Sequence, residues 1–463
     1  MASTLQPKQK ELFGHPVGLY VLFFTEMWER FSYYGMRAIL VLYLVAESTG
    51  DNEGLGWSNG EALALYGWYT MLVYVASIPG GWIADKFLGQ KKSVLYGGLL
   101  LVAGHSILAV EQMWAFYTGL GLIIAGVGML KPNISTMVGG LYKQGDIRRD
   151  KGFTIFYIGI NIGAFLSSLI VGYVGEVYGW HYGFGLAGIG MALGLIQYLL
   201  GQKHLTHVGN YSGTSDNPEE IAAMKKPLTK IEKDRVVVLF ISFLLVIVFW
   251  GAFEQAGGLM NIYASEKTDR MLMGWEVPAS WFQSLNAMFI IILGTTVAGY
   301  WASRKLKGKV STSLFKMIIG LIIMGTGFFF MTAAAAQFNS DGSSAMYWLV
   351  LAYLFHTVGE LCLSPVALSY ITKLAPLKYA SLMMGIYFAM TGFGNKLAGL
   401  LGEASEDLGE YTIFTGIAVF CVIFGILVML FRKKLEHLTH GAEDNERKMM
   451  EQEGYELADE KIN

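Results

Sequence analysis

Residues 236–253 read VVVLFISFLLVIVFWGAF, a run without a charged side chain that is long enough to cross a bilayer as a helix. Comparable apolar stretches recur along the 463-residue chain. A window of about 19 residues predicts twelve spans, near residues 17–46, 59–85, 91–110, 113–141, 151–179, 182–202, 233–262, 279–303, 313–336, 345–373, 379–402 and 411–431. The sequence therefore predicts an all-α protein that lies in a lipid bilayer.

The composition agrees with this location and argues against several other classes of protein. Hydrophobic residues make up 54% of the chain and charged residues 15%, more apolar surface than a soluble globule of this size would bury. The net charge of −2 argues against a nucleic-acid partner. Cys362 and Cys421 fall in apolar runs, so neither a disulfide framework nor a C-x-x-C metal site is expected. An enzyme is disfavoured, because no nucleophile, base and orienting group occur at a recognisable spacing.

The basic residues of the loops predict how the chain is oriented. If both termini face the cytoplasm, almost all the basic loop residues lie on that side, for example Lys91, Lys92 and Arg304. The opposite loops contain only Lys267 and Arg270. This asymmetry follows the positive-inside rule and predicts cytoplasmic termini.

The polar segment 203–232 divides the spans into six and six, which predicts two similar halves. Local echoes support this division, since Gly81–Lys92 after the second span resembles Gly299–Lys309 after the eighth. The predicted organisation is an N-terminal six-helix bundle (1–202), a cytoplasmic linker (203–232), a C-terminal six-helix bundle (233–436) and a charged cytoplasmic tail (437–463).

The first span carries a stripe of polar side chains. At about 100° per residue, Glu26, Glu29, Arg30, Tyr33 and Arg37 project within an arc of roughly 100°. Each charge at the bilayer centre costs about 2.5–3.5 kcal/mol, so the stripe is expected to face the interior of a bundle. One reading is a structural ion-pair ladder. The other is a titrating site, since neighbouring charges push the pKa values of two carboxylates apart.

Further charges fall inside later spans. Lys131 lies mid-span in the first half, whereas Glu254 and Glu360 lie in the second half. The two halves thus carry opposite charge, which suits a ligand with a carboxylate at one end and an ammonium at the other. The alternative is that these charges form purely structural pairs.

Several of these segments resemble known motifs. Gly81–Lys92 resembles the loop signature of the major facilitator superfamily, G-x-x-x-D-[RK]-x-G-[RK]-[RK], with Gln90 as a departure. Five further motifs are Glu26-x-x-Glu29-Arg30-Phe31-x-Tyr33-Tyr34-Gly35, Phe156–Ala164, Phe249-Trp250 with Glu254-Gln255, Ser280–Asn286 and Gly359–Pro365. In these motifs the chain resembles one branch of the superfamily, the proton-coupled oligopeptide transporter family. The resemblance covers all twelve spans and implies two six-helix bundles that rock about a central site.

The resemblance implies roles for individual residues. Arg37 and Lys131 would hold the peptide carboxylate, and Glu360 with Asn161 and Asn286 would hold its ammonium. Ser364 would lie on the same helix face as Glu360. The aromatic walls of side-chain pockets would be Tyr33, Tyr34, Tyr69, Tyr157, Trp250, Trp281 and Tyr387, each of which could equally be an ordinary packing residue.

The resemblance likewise implies that protons are the coupling ions. Glu26, Glu29, Arg30 and Glu254 would couple proton influx to the import of di- and tripeptides, and no cofactor or metal is expected. Our hypothesis is that Glu254 pairs with Arg37 when the outer mouth is closed. The second span has no histidine, so proton chemistry is expected to rest on carboxylates, with His105 and His356 as weaker candidates.

Other interpretations stay open from the sequence. The same scaffold could carry nitrate or another small anion, although Glu360 would be of no use to nitrate. A channel would not need two bundles of opposite charge. Bacterial relatives often insert two extra helices between the bundles, but 203–232 is too polar and short to form them. We expect a protein of the bacterial inner membrane that functions as a monomer.

Overall fold

The structure is a computed structural model and describes residues 10–142, 146, 148–211, 227–376 and 379–443. Helices dominate it. The α-helices are α1 (Val17–Val45), α2 (Asn59–Val75), α3 (Ser77–Ile83), α4 (Gln90–Leu108), α5 (Met113–Gly140), α6 (Arg148–Val177), α7 (Trp180–Gly201), α8 (Lys230–Phe253), α9 (Leu259–Glu266), α10 (Ser284–Leu306), α11 (Ser313–Asp341), α12 (Met346–Leu374), α13 (Ala380–Glu403), α14 (Ser405–Leu408) and α15 (Glu410–His437).

Shorter elements connect these helices. Single turns of π or 3-10 helix occupy Ala84–Leu88, Gln202–His204, Glu254–Ala256 and Ala279–Gln283. The strands are two-residue pieces: β1 (Glu11–Leu12), β2 (His15–Pro16), β3 (Thr268–Asp269), β4 (Met271–Leu272), β5 (Trp275–Glu276) and β6 (Ser344–Ala345). β1 pairs with β2 and β4 with β5 in antiparallel hairpins, and β3 runs parallel to β6.

Each predicted span corresponds to a helix or to a pair of adjoining helices. Nine helical segments within the described ranges are long and apolar enough to cross a membrane. The remaining three spans are α1, α4 and α13, with 29, 19 and 24 residues. They are less apolar because α1 carries its charged stripe, α4 starts with two lysines, and α13 contains Asn395 and Lys396. The described residues thus form twelve helical spans.

Two of the spans are interrupted. The second consists of α2 and α3, separated at Ala76, and it ends in the π turn before Gly89. The seventh consists of α8 and α9, joined through Glu254–Ala256 and the pair Gly257-Gly258. Because glycine weakens a helix, this pair accounts for the break. The interruption of the seventh span matters for function, since Glu254 lies in it.

Contacts between Cα atoms divide the chain into two units. Unit 1 contains residues 1–58, 72–215 and 277–287, and in it α1 packs on α6 and α7 while α4 packs on α5. Unit 2 contains residues 59–71, 216–276 and 288–463, and in it α11 packs on α12 and α15 while α8 packs on α13. Each unit thus includes a short segment from the other half of the sequence.

The domain limits drawn from the sequence stay a prediction. Much of the proposed linker and most of the charged tail lie outside the described residues, namely residues 212–226 and 444–463. The question of extra helices in the linker falls on the same segment.

Small residues let the helices of each unit approach closely. In unit 1 a Cβ atom on Gly97 would lie 2.7 Å from the Gly126 carbonyl oxygen, so α4 and α5 touch through their backbones. In unit 2 a Cβ atom on Gly67 would lie 2.8 Å from the Cα atom of Gly399. This contact fixes α2 against α13, as expected for membrane helices that associate by close packing.

Candidate functional site

Three charged residues of α1 form a compact ion-pair network in unit 1. Their spacing of three and four residues places Glu26, Glu29 and Arg30 on one helix face. The Arg30 Nε lies 2.8 Å from the Glu26 Oε1, to which it donates a hydrogen bond, and 2.8 Å from the Glu29 Oε2. The relative exposures are only 2%, 0% and 3%. Two buried carboxylates share one guanidinium, so uptake of one proton would make the trio electrically neutral.

The two cations predicted to bind a carboxylate lie near aromatic faces in the same unit. The Arg37 guanidinium carbon is 4.8 Å from the ring centre of Tyr34, and the Lys131 Nζ is 3.8 Å from the ring centre of Tyr74. Lys131 also acts electrostatically on Glu29. Both cations are partly exposed. Cation–π contacts of this kind help to hold the two cations in place.

The remaining predicted residues of unit 1 lie on α1, on α6 and at the start of the eighth span. Tyr33 is buried and packs edge-on against Tyr34. The Asn161 side chain donates a 2.9 Å hydrogen bond to the Tyr157 carbonyl on its own helix, and the Tyr157 ring is exposed. The structure therefore holds Asn161 in one rotamer beside an accessible aromatic ring.

The aromatic Trp281 lies in the 3-10 turn Ala279–Gln283, and the amide Asn286 lies in the helix that follows it, α10. The Trp281 indole donates a 3.0 Å hydrogen bond to the Leu169 carbonyl of α6. Asn286 lies in the first turn of α10 and is partly exposed. Because the indole N–H is taken by the backbone of α6, Trp281 can offer a ligand its ring.

In unit 2 the acid Glu254 sits at the break of the seventh span. The Tyr66 hydroxyl donates a 2.9 Å hydrogen bond to the Glu254 Oε2, and both side chains are buried, at 1% and 2% exposure. The adjacent Gln255 donates a 3.1 Å hydrogen bond to the Ala398 carbonyl. The Tyr353 hydroxyl donates a 3.2 Å hydrogen bond to the Ala256 carbonyl. One backbone group of the break, the Ala256 carbonyl, is thus satisfied by a side chain of another helix, α12.

Three other predicted residues of unit 2 lie close to the hydroxyl of a fourth, Tyr387. Trp250 and Ser364 lie beside its hydroxyl, and Glu360 acts on it electrostatically. Glu360 is nearly buried on α12, and Tyr69 is buried on α2. The structure therefore brings together one carboxylate, two hydroxyls and an indole, a set that can accept and orient an ammonium group.

Two carboxylates that the sequence did not single out cap the first residues of two spans. In unit 1 the Glu176 side chain accepts hydrogen bonds of 2.9 Å from the backbone N–H groups of Ala279 and Ser280. In unit 2 the Glu406 side chain accepts a 2.7 Å hydrogen bond from the backbone N–H of Gly60. The second and eighth spans are equivalent in the predicted repeat, so the two caps are counterparts.

Tyr66 was likewise missed. It precedes the predicted wall residue Tyr69 by one helical turn, but the α2 sequence contains nothing that ties it to the seventh span. A weak sequence signal existed for the two caps, since Glu176 and Glu406 each lie near the end of a predicted span. His105 and His356 are fully buried, and His356 packs 4.4 Å from the Phe328 ring centre. Among the described residues, no group of three His, Cys, Asp or Glu could hold a metal ion.

Comparisons with known proteins agree on one family. The family model described as PTR2, POT family, matches residues 91–218 and 214–413. The peptide transporter YePEPT of Yersinia enterocolitica is 34% identical over 95% of this chain and 98% of that protein. A di-/tripeptide transporter of Lactococcus lactis subsp. cremoris is 34% identical over 93% and 98%. A crystal structure of peptide transporter POT in complex with sulfate has a TM-score of 0.86 at 35% identity, over 93% and 97%. This match confirms the predicted all-α membrane fold of the major facilitator type.

Proposed function

The chain belongs to the POT family of peptide transporters, and we propose that it imports di- and tripeptides together with protons by alternating access. It is an integral membrane transporter and not an enzyme. The observation that supports proton coupling most directly is the buried trio of Glu26, Glu29 and Arg30, which holds one carboxylate more than it holds guanidinium groups. Such a site gains or loses a proton without leaving an unpaired cation.

The substrate class follows from the charges of the two units. Arg37 and Lys131 in unit 1 would bind the peptide carboxylate by charge-assisted hydrogen bonds. Glu360 in unit 2, with Asn161 and Asn286, would bind the ammonium group. The partly exposed aromatic rings would accept side chains of many shapes, because they bind by contact area. A backbone with a carboxylate at one end and an ammonium group at the other is the feature that all short peptides share. Cations in one unit and a carboxylate in the other would therefore recognise short peptides as a class.

Protons supply the driving force in this proposal. Glu29 with its partners and Glu254 would take up protons from the outer solution and release them to the cytoplasm. Each proton that enters gains about 2.3 kcal/mol per 100 mV of inside-negative potential, which is sufficient to concentrate a peptide. The excess of basic residues in the predicted inner loops supports cytoplasmic termini. An inner-membrane protein that works as a monomer, with no cofactor other than the proton, is part of the same proposal.

Uptake of labelled dialanine into proteoliposomes tests the proposal. We expect an inward proton gradient to drive accumulation, and unlabelled dipeptides but not nitrate to compete. If dialanine only reached equal concentrations on both sides, with or without the gradient, the proposed proton coupling would be contradicted. An absence of peptide uptake and competition would remove the substrate class.

Two substitutions test the assignment of the peptide ends. Lys131→Ala and Glu360→Ala each remove one charge-assisted contact, so we expect KM for dialanine to rise by about 10- to 100-fold. Acetylation of the peptide amine should raise KM strongly for the wild type and only slightly for Glu360→Ala. Lys396→Ala is a control, because that lysine lies over the Trp68 ring and has no assigned role. Equal sensitivity of both variants to acetylation would contradict the assignment.

A further inference from the structure

The outer half of the second span is fixed firmly within unit 2. Glu406 caps its start at Gly60, and Gly67 touches Gly399 backbone to backbone. The Asn395 side chain reaches the Thr70 carbonyl at 3.5 Å. Tyr66 lies within this fixed stretch, and its side chain is buried, at 1% exposure.

The partner of Tyr66 lies at the least regular point of the seventh span. Glu254 begins the 3-10 turn that separates α8 from α9. A Cβ atom on Gly258 would lie 3.1 Å from the Leu63 side chain and 3.6 Å from the Tyr66 ring, so the break packs directly on α2. A change in the carboxyl group of Glu254 therefore acts directly on α2, through Tyr66, and on the break itself.

The state of the acid decides the strength of the bond. Towards an ionised carboxylate, a tyrosine hydroxyl donates a charge-assisted hydrogen bond, which is about twice as strong as a neutral one. When Glu254 takes a proton from the outer solution, the bond becomes neutral and the new O–H requires an acceptor of its own. Protonation thus weakens the attachment of α2 to the break in the seventh span, and release of the proton to the cytoplasm restores it.

We propose that Tyr66 is a positioning residue: its hydrogen bond to Glu254 weakens when Glu254 is protonated, and this change loosens the contact between the outer half of the second span and the break. The inference rests on the proposed proton-coupled transport and adds a residue to it. Tyr66 acts only through Glu254, so its removal should matter only while that acid is present.

A double-mutant cycle tests this dependence in proteoliposomes. For each protein, the measured quantity is the ratio of gradient-driven dialanine uptake to counterflow exchange without a gradient. Tyr66→Phe removes one oxygen atom and should lower the ratio about tenfold, the size expected for a hydrogen bond to a charged group. Glu254→Gln should lower it more. Tyr66→Phe added to Glu254→Gln should change it no further.

Tyr353→Phe is the matched control. Tyr353 is also a buried tyrosine of unit 2 that bonds to the break, but its acceptor is the backbone carbonyl of Ala256, which does not titrate. We expect this variant to keep the wild-type ratio. A fall equal to that of Tyr66→Phe would overturn the proposal, as would an equal effect of Tyr66→Phe in the presence and absence of Glu254.

Two further results separate the possible failures. If the wild type shows no gradient-driven uptake, both the proposed function and the proposed role of Tyr66 are wrong. If the wild type is driven but Tyr66→Phe keeps its ratio, only the role of Tyr66 falls. Should Tyr66→Phe not fold, Glu254→Asp withdraws the carboxylate from the same hydroxyl and should lower the ratio. A wild-type ratio in Glu254→Asp would overturn the proposal.

Discussion

Two buried acidic regions of this transporter are held in opposite ways. In α1, Glu26 and Glu29 are paired with Arg30 of their own helix, within one turn. At the break of the seventh span, Glu254 is held by Tyr66, which lies 188 residues away in the sequence. The first region is a local ion pair, whereas the second is a long-range hydrogen bond between helices.

This difference suggests that the two regions have different roles in proton coupling. A carboxylate paired within its own helix can gain a proton without displacing another helix, so the α1 trio is suited to storing a proton. A carboxylate that is hydrogen-bonded to a different span changes a contact between helices when it is protonated. Glu254 is therefore suited to linking protonation to helix movement. The caps formed by Glu176 and Glu406 belong with the second type, since each joins segments distant in sequence.

The largest expected effect is on the stability of the local trio. Arg30→Met would leave two buried carboxylates without the guanidinium that pairs with both, and we expect it to lower the free energy of unfolding by about 3–5 kcal/mol. Unfolding in detergent micelles measures this change. Arg149→Met is the control, because Arg149 is exposed near the start of α6 and its loss should cost less than about 0.5 kcal/mol. Equal effects of the two substitutions would mean that the trio is not a desolvated ion pair.

The next effect concerns coupling at both regions. Glu29→Gln and Glu254→Gln should each remove proton-driven accumulation, a loss of about fiftyfold at 100 mV, while counterflow falls less. Glu29→Gln keeps Arg30 paired with Glu26, so its stability should stay near that of the wild type. Glu47→Gln, at an exposed acid just after α1, is the matched control. If only one of the two variants lost accumulation, a single proton site would suffice for coupling.

The sequence predicted the local features well and the long-range ones poorly. Twelve apolar runs located the spans, and spacing alone placed Glu26, Glu29 and Arg30 together. The helices α11 and α15 were predicted to end at residues 336 and 431 but continue to Asp341 and His437, because hydropathy does not detect helix outside the hydrocarbon core. The bond from Tyr66 to Glu254 depends on how distant helices pack, which no periodicity in one segment encodes.

A smaller effect is expected at the caps. Glu406→Gln keeps an oxygen that can accept the bond from Gly60 but removes its charge, so we expect a loss of about 0.5–1 kcal/mol in the free energy of unfolding. Thermal unfolding of the purified protein measures it. Glu403→Gln is the control, since that acid is also exposed and lies one turn earlier. A loss as large as that of Arg30→Met would place the cap among the main determinants of stability.

The smallest effect separates exposed pairs from buried ones. Before α6, Asp146 accepts hydrogen bonds from Arg148 at 2.9 Å, and these bonds lower the pKa of Asp146 below its ordinary value. A lowered pKa in the folded state adds stability that is fully present above the unfolded pKa, at about 4, and that is lost as the pH falls from there through the lower folded pKa. Asp146→Asn should therefore unfold slightly earlier than the wild type at pH 7, and the difference should shrink as the pH falls below about 4. High salt should reduce the difference at pH 7 as well, because exposed charges are screened, whereas the effect of Arg30→Met should persist. A difference at pH 7 that salt leaves unchanged would show that this surface pair is shielded from solvent in the manner of the α1 trio.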